Sequence, residues 1–248
     1  MRFVRLVARL AALALCLPVL AEPLLTPHAA EYKVKISVLS GRLNTELRRT
    51  ATGYVANHAI RPTGMSRIIT RGTMDVTSEF DSQTDGIKPV RFKAVDTIRD
   101  EPDVDLRFDW DTNEVTGTVG DENVKLQLDG IAYDSVSIQY ELMHDLIAGN
   151  PSEQYTLFDV NKMRVANVSM VGEKEVDTKA GKFLAVGIQH QKEGSSRTTT
   201  LWCVKELDYL PVIIEQHRKG KLNFRAKLVK YSPSQGLSTT ALPASTPR

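Results

Sequence analysis

Alternation of apolar and polar residues dominates residues 25–231, and it constrains the fold more than any other feature. The clearest case is VDLRFDW, where Val104, Leu106, Phe108 and Trp110 alternate with charged residues. Successive side chains of a β-strand point to opposite faces, so the pattern predicts a half-buried strand. The turn sequence DTN follows, and EVTGTVG then leads back. Together these segments predict a β-hairpin.

The same alternation recurs along the chain. In EYKVKISVLS it places Tyr32, Val34, Ile36 and Val38 on one predicted face, and TMDVTSEFD follows the same rule. RKGK, with Gly220, marks the turn of a hairpin near the carboxyl end. Evenly spaced strands with such turns predict a mainly β fold, a strongly curved antiparallel sheet of half-barrel or barrel-like form.

One segment, YDSVSIQYELMHDLIAGNP, breaks the alternation and predicts a helix. Asp134 or Ser135 is suited to cap its start, and Gly149 is suited to end it. We expect an amphipathic helix of about four turns, packed on or across the sheet through one apolar face. The apolar positions of that face are three to four residues apart: Val136, Tyr140, Met143 and Ile147.

The amino terminus has the pattern of a secretory signal peptide. Arg2, Arg5 and Arg9 precede the apolar run LAALALCLPVLA, which ends at Ala21. This run is too short to span a bilayer, so we expect a cleaved signal at 1–21 and no transmembrane segment in the mature chain. The remaining chain is predicted to form a single β-rich domain at 22–231. A disordered tail rich in Ser, Thr and Pro is predicted at 232–248.

Charge and cysteine content narrow the range of partners. The signal removes three of the 32 basic residues and none of the 30 acidic ones, which leaves the mature chain near −1. A near-neutral chain without a dense basic cluster predicts no nucleic-acid binding and gives no support for polybasic membrane binding. Cys203 is the one cysteine left after cleavage. It cannot form an internal disulfide, and we interpret it as an inert strand residue.

No motif with catalytic or metal-ligand spacing is found. The five histidines are scattered, and the chain has no G-x-S-x-G, P-loop or G-x-G-x-x-G motif. The acidic stretch around Asp109 resembles a calcium loop but lacks its central glycine, so a solvated turn is favoured and calcium binding is left open. We therefore predict no catalytic residues, no metal site, no cofactor and no enzymatic activity.

The order of these segments resembles the bacterial domain-of-unknown-function family 3108, a group of exported proteins. The segments that carry the resemblance are LTPHAAEYKV, RPTGMSRIITRGTMDVTSEFD, GIKPVRF, VDLRFDWDTNEVTG, DSVSIQYELMHDL, VDTKAGKFLAVGI and RTTTLWCVKELDYLPVIIEQHRKGKL. The resemblance implies a mostly β fold and a periplasmic location, with no catalytic residues assigned. A looser likeness links LPVIIEQ and GKLNFRAKL to the curved sheets of periplasmic lipoprotein-localisation factors, which cradle acyl chains beneath a helix.

Two functions follow as hypotheses. The first is a non-enzymatic binder of a lipid, an acyl chain or a hydrophobic segment in the concave face of the sheet, with RPTGMSRIITRG as an apolar flap at its mouth. The second is a structural or protein-interaction factor of the cell envelope, with a filled core and no small ligand. A partner would be a lipid or another envelope protein. For the first, seven residues are predicted to bind the ligand: Met65, Ile68, Ile69, Phe108, Trp110, Tyr140 and Trp202.

Overall fold

The computed structural model describes residues 25–83, 86–159 and 162–234. Within them lie fourteen strands and two α-helices, which we number in chain order. They are β1 (His28–Ile36), β2 (Leu39–Arg49), β3 (Gly53–Pro62), α1 (Ser66–Ile69), β4 (Met74–Gln83), β5 (Gly86–Asp96), β6 (Glu101–Asp109), β7 (Glu114–Val119), β8 (Glu122–Gln127), α2 (Ser137–Ala148), β9 (Gln154–Asp159), β10 (Lys162–Thr178), β11 (Gly181–Lys192), β12 (Arg197–Val204), β13 (Leu210–Arg218) and β14 (Lys221–Pro233).

All fourteen strands belong to one curved antiparallel sheet. Strands that are consecutive in the chain pair with each other, except for β8 and β9, and β1 also pairs with β14. The first and last strands therefore lie side by side in the middle of the sheet. Its two edges are β8 and β9, the strands that flank α2 in the chain. The sheet is not closed, and we call the gap between β8 and β9 the seam. Residues 128–153, which include α2, connect these two strands in the chain.

The alternation predicted from the sequence is confirmed in the strands. On β6, Leu106 and Phe108 are buried while Arg107 between them is exposed. The predicted hairpin is formed by β6 and β7, with Asn113 at a φ of 52° in the turn. The RKGK hairpin is β13–β14, where Gly220 takes a φ of 74°, which glycine adopts without a steric penalty.

Two predicted boundaries need correction. The predicted apolar face of β1 included Val38, but the strand ends at Ile36 and the chain turns at Ser37, which has a φ of 53°. Val38 is consequently exposed. At the other end, β14 extends through Pro233, because Ser232 pairs with Ala29. The strand thus includes residues 232 and 233, the first two residues of the predicted tail.

The predicted helix is present as α2, but it is shorter and more buried than expected. It has 12 residues and ends at Ala148, and the capping residue Gly149 takes the left-handed conformation with a φ of 74°. The predicted apolar face packs on the sheet, and burial extends beyond it to most other sides of the helix. A helix that is buried on most sides must be enclosed by its surroundings, and here the curve of the sheet encloses it. The buried residues are Ser137, Ile138, Tyr140, Glu141, Leu142, Met143, His144 and Leu146.

Two predictions concern segments outside the described residues. The signal peptide at 1–21 and the start of the mature chain at Glu22 precede the first described residue, Leu25. The predicted tail lies outside them from residue 235 onward. Both stay predictions.

Candidate functional site

The concave face of the sheet is occupied by α2, which packs against β4 and β5. Tyr140 lies at the centre of this contact and is fully buried. Its ring stacks on Phe80 of β4 with 5.4 Å between centroids, and its hydroxyl lies 3.3 Å from Nε2 of His58 on β3. The helix therefore fills the place where a ligand of a hollow half-barrel would bind.

Two histidines line the same interior. Burial lowers the pKa of His58 to about 4, and the nearby His28 lowers it further. The pKa of His28 is also lowered by burial, although a hydrogen bond between its Nδ1 and the carbonyl of Thr26 opposes the shift. Both rings are consequently neutral at physiological pH, as expected of groups that serve packing and hydrogen bonding.

A buried carboxylate ties α2 to the sheet. Glu141 accepts a hydrogen bond from the hydroxyl of Tyr133 at 2.7 Å and one from the backbone N–H of Ile87 at 2.8 Å. Burial raises the pKa of Glu141, and the two donors oppose that shift. Gly86 makes the approach possible, because a Cβ there would lie 2.7 Å from Oε1 of Glu141. Its φ of 140° also disfavours any other residue.

A second buried carboxylate fixes the start of α2. Oδ1 of Asp134 accepts hydrogen bonds from the backbone N–H groups of Val136 and Ser137, and Oδ2 accepts one from the hydroxyl of Ser78 on β4. Burial raises the pKa of Asp134, against the effect of these donors. The N-cap position is held by Val136 and not by the predicted Asp134 or Ser135, but Asp134 still accepts from two N–H groups at the start of the helix. It also binds the helix to the sheet, which the sequence did not reveal.

The carboxyl end of α2 brings together three groups of metal-ligating type. Ligand atoms of Glu141, His144 and Asp145 lie within 4.8 Å of one another. Within this group, Nδ1 of His144 lies 3.5 Å from Oδ1 of Asp145. Glu141 already accepts two hydrogen bonds, and Asp145 accepts one from the hydroxyl of Tyr155. The grouping fits a hydrogen-bonded anchor better than a metal centre.

The predicted ligand-binding residues do not lie in one place. Phe108 and Trp110 stack at 6.0 Å on the concave side, and Phe108 also contacts Phe158 edge-on at 6.1 Å. Phe108 belongs to the buried core, as Tyr140 does, and the half-buried Trp110 packs against that core. Trp202 pairs across the strands with Ile213 and lies on the opposite face of the sheet, where the ammonium group of Lys174 sits 3.6 Å from its ring centroid.

The other three predicted residues lie at one rim of the sheet, in the loop between β3 and β4. Met65, Ile68 and Ile69 are all exposed, and α1 includes the last two. Beside them is an open recess of about 430 Å³, lined by Arg61, Pro62, Arg67, Thr70 and Arg71. A second shallow cavity of about 370 Å³ lies on the outer face of β1–β3 and β14.

The thiol of Cys203 and the acidic hairpin around Asp109 look reactive in the sequence, but both lie in environments typical of structural residues. Cys203 is a buried free thiol, and burial raises its pKa. In the acidic hairpin, Oδ1 of Asp109 accepts hydrogen bonds from the backbone N–H groups of Asp111 and Thr112, which lower its pKa. This is the turn chemistry of aspartate rather than a free ligand set.

The sequence alone did not reveal the buried carboxylates. Asp134 was recognised as a helix cap, but Glu141 was not recognised as a buried anchor. The sequence did contain a relevant signal, because Glu141 directly follows Tyr140 within the apolar pattern. Glu141 would be exposed if α2 buried a single face, but on a helix buried on most sides it is buried as well.

Comparison with known proteins identifies the family. A model described as "Protein of unknown function (DUF3108)" matches residues 29–225. The chain belongs to this family. The DUF3108 description names no activity, and a search of the curated proteins found no match. The family predicted from the segment order is therefore confirmed.

One solved structure supports the fold. A "Beta-barrel-like Protein of Domain of Unknown Function DUF1849 from Brucella abortus" is 16% identical, with a TM-score of 0.57. The alignment covers 86% of this chain and 99% of that one. MucB is 8% identical with a TM-score of 0.34, and the alignment covers 89% of this chain and 57% of MucB. The first match supports a barrel-like β fold for this DUF3108 chain.

The helices give one further result. Among the described residues, neither helix has the length and apolar character that a membrane-spanning helix needs.

Proposed function

We propose that this DUF3108 protein is a non-enzymatic factor of the periplasm that contacts other envelope components through its outer surfaces. The observation that carries the proposal is the burial of α2 in the concave face. Tyr140 fills the centre of the half-barrel, and Glu141 and Asp134 bind the helix to β5 and β4 through buried hydrogen bonds. Such a core leaves the outer faces and rims as the surfaces available for binding.

The surroundings of the reactive groups support a role without catalysis. A cysteine nucleophile needs a lowered pKa and access to its substrate, whereas Cys203 is buried and its pKa is raised. A histidine base works best with a pKa near the operating pH, whereas the pKa of His58 is lowered to about 4. These groups act as parts of the core.

The location is tested by expressing the full chain in a Gram-negative host. We expect the protein in the periplasmic fraction, with a mature amino terminus at Glu22 as determined by mass spectrometry. Replacing Arg2, Arg5 and Arg9 by Glu should leave uncleaved precursor in the cytoplasm. A wild-type chain that stays in the cytoplasm with an intact amino terminus would contradict this part of the proposal.

The filled core is tested by lipid extraction. Protein purified from the periplasm without detergent is extracted with organic solvent, and the extract is analysed by mass spectrometry. A lipid-carrying periplasmic protein purified in parallel serves as the positive control. We expect the extract to contain far less than one lipid molecule per protein molecule, because α2 occupies the concave face of the sheet. A stoichiometric lipid or fatty acid would overturn the proposal.

A second candidate is the binder of an apolar ligand in the concave face, with α2 as a movable cover. One observation favours it: the sheet is open at the seam between β8 and β9. Near this seam, one isolated β-bridge within the described residues joins Tyr133, in the segment after β8, to Leu157 of β9. If the seam opened, α2 could leave the concavity with the chain segments that flank it. The same extraction distinguishes the two candidates, because this one requires a retained ligand.

A further inference from the structure

The rim of the sheet that carries α1 presents an unusual set of apolar side chains. Met65, Ile68 and Ile69 are 73%, 75% and 68% exposed, and Val38 in the neighbouring β1–β2 turn is 87% exposed. We call these four residues the rim patch. Single exposed apolar residues are ordinary on a protein surface, but four together at the tips of adjacent turns indicate a binding surface.

The rim patch is held in place by the backbone around it. The hydroxyl oxygen of Ser66 accepts a hydrogen bond from the N–H of Ser40 at 2.8 Å, and the N–H of Thr63 donates to the carbonyl of Ser40 at 2.9 Å. Ser66 is itself buried. The loop is therefore fixed to the start of β2, and its apolar side chains are displayed rather than packed.

Cationic groups lie beside the rim patch. Arg61, Arg67 and Arg71 line the recess beside it. Arg61 forms an ion pair with Asp75, whereas among the described residues no carboxylate lies within ion-pair distance of Arg67 or Arg71. The guanidinium group of Arg67 donates to the carbonyl of Pro62 at 3.3 Å, which leaves its remaining donors available to a ligand.

The turn between β13 and β14 adds positive charge at the same rim. It is joined to the β1–β2 turn by a hydrogen bond from the N–H of Ser37 to the carbonyl of Asn223 at 3.0 Å. Residues 218–221 read Arg-Lys-Gly-Lys and contain no acid. The fold thus gathers cations from turns far apart in the sequence, although the mature chain is near neutral.

We infer that the rim patch and its arginines bind the surface of an anionic phospholipid bilayer. Apolar side chains next to cations are the combination that holds a protein at a membrane interface, where the former enter the acyl boundary and the latter meet the phosphates. The apolar groups project from turn tips instead of lining a groove, which suits insertion into lipid better than capture of a peptide. This inference goes beyond the proposed function, and it holds whether or not α2 ever leaves the concave face.

The test uses the mature chain and two kinds of vesicle, one of phosphatidylcholine and one of phosphatidylcholine mixed with phosphatidylglycerol. Binding is measured by co-sedimentation. We expect at least about tenfold stronger partition onto the anionic vesicles, because each cation near such a surface contributes a several-fold gain. The gain should shrink as salt is raised. Equal partition onto both vesicles, or none onto either, would overturn the inference.

Variants at the rim assign the binding. M65S/I68S/I69S removes apolar groups and R67E/R71E reverses two charges, and each should lower partition at least about tenfold. Matched controls remove exposed apolar groups elsewhere, in M170S/L184S, or reverse two lysines at the opposite rim, in K179E/K182E. The controls should bind as the wild type does. Circular dichroism verifies that all four variants are folded.

Two further results would contradict the inference. The first is that folded rim variants bind as tightly as the wild type. The second is that inorganic phosphate or glycerol phosphate binds at the arginine recess, detected by calorimetry and lost in R67E/R71E, while the wild type shows no vesicle binding. That result would make the recess a site for a small phosphate ligand instead of a membrane surface.

Discussion

The two helices of the molecule contain similar apolar residues but have opposite surroundings. In α2, Ile138 and Leu142 are buried within the curve of the sheet, and the N–H of the first helical residue, Ser137, donates a hydrogen bond to Asp134. In α1, Ile68 and Ile69 are exposed, and Ser66 is the buried residue. The apolar content of a segment therefore does not decide its role here. Its place in the chain decides that role, because the segments that flank α2 place it in the concave face of the sheet, whereas α1 lies in a loop at the rim.

This difference predicts that substitutions in the two helices have unequal effects on stability. The largest expected effect is at Tyr140. Y140A removes a fully buried ring that contacts Phe80 and His58, and should lower the free energy of unfolding by about 3–5 kcal/mol. Urea denaturation followed by circular dichroism measures it. The control Y140F keeps the ring and should cost about 1 kcal/mol. If Y140A cost no more than Y140F, the ring would not be part of a filled core.

A smaller effect is expected at the carboxylate that anchors α2. E141Q keeps the shape of the side chain but offers one oxygen to the donors of Tyr133 and Ile87, and so leaves one donor of the pair facing an N–H group. We expect a loss of about 1–3 kcal/mol in unfolding free energy, measured by urea denaturation. The exposed residue Glu173 provides a control, and E173Q should change stability by less than about 0.5 kcal/mol. Equal effects at both positions would show that Glu141 is not an anchor.

The interior also predicts a dependence on pH. The pKa of His58 is lowered to about 4 in the folded chain, below its usual value near 6.5. The unfolded state therefore binds more protons in this range, and the contribution of His58 is complete above pH 6.5 and is lost as pH falls toward 4. The effect should be about 1 kcal/mol between pH 7 and pH 5, because His58 is only partly shielded from solvent.

The variant H58Q isolates this contribution. Thermal unfolding of H58Q and wild type is followed from pH 7 to pH 5, and the wild type should lose more stability than H58Q. Glu141 and Asp134 act in the opposite direction, because their raised pKa values make stability fall as pH rises. They are unchanged in both chains, so the difference reports on His58. Parallel pH profiles would contradict the assigned environment of this ring.

The smallest effect on stability is expected at the rim. M65S/I68S/I69S alters exposed side chains, and each substitution should change the free energy of unfolding by no more than about 0.5 kcal/mol. Differential scanning fluorimetry in the absence of lipid is sufficient to measure it. A large destabilisation would mean that the three side chains belong to the core, and the contrast between α1 and α2 would fail.

The sequence predicted those parts of the fold that depend on local patterns. The strand at Val104–Asp109 and the hairpin turn at Gly220 follow from alternation and turn residues, which act within a few positions. The environment of α2 does not follow from local patterns. Glu141 accepts a hydrogen bond from Ile87, 54 residues away, and this partner exists only once the sheet has curved.

The candidate binding surfaces were also predictable from the sequence only where they depend on local patterns. Met65, Ile68 and Ile69 were recognised from the sequence because apolar residues stood in a segment without strand alternation. The membrane contact that we infer for them depends on three turns that only the fold brings together, including the turn that carries Lys219. Trp202 was assigned to a ligand cavity although it lies on the opposite face, because alternation gives the two faces of a strand but not which of them is concave.

The central claim is that α2 permanently fills the concave face, and hydrogen exchange tests it most directly. Amide exchange of residues 141–148 is measured by mass spectrometry, with and without phospholipid vesicles, and compared with that of β4 and β5. We predict that α2 exchanges as slowly as these strands and that lipid leaves its protection unchanged. Exchange of α2 that is much faster than that of the strands, or that changes when lipid is added, would contradict the account.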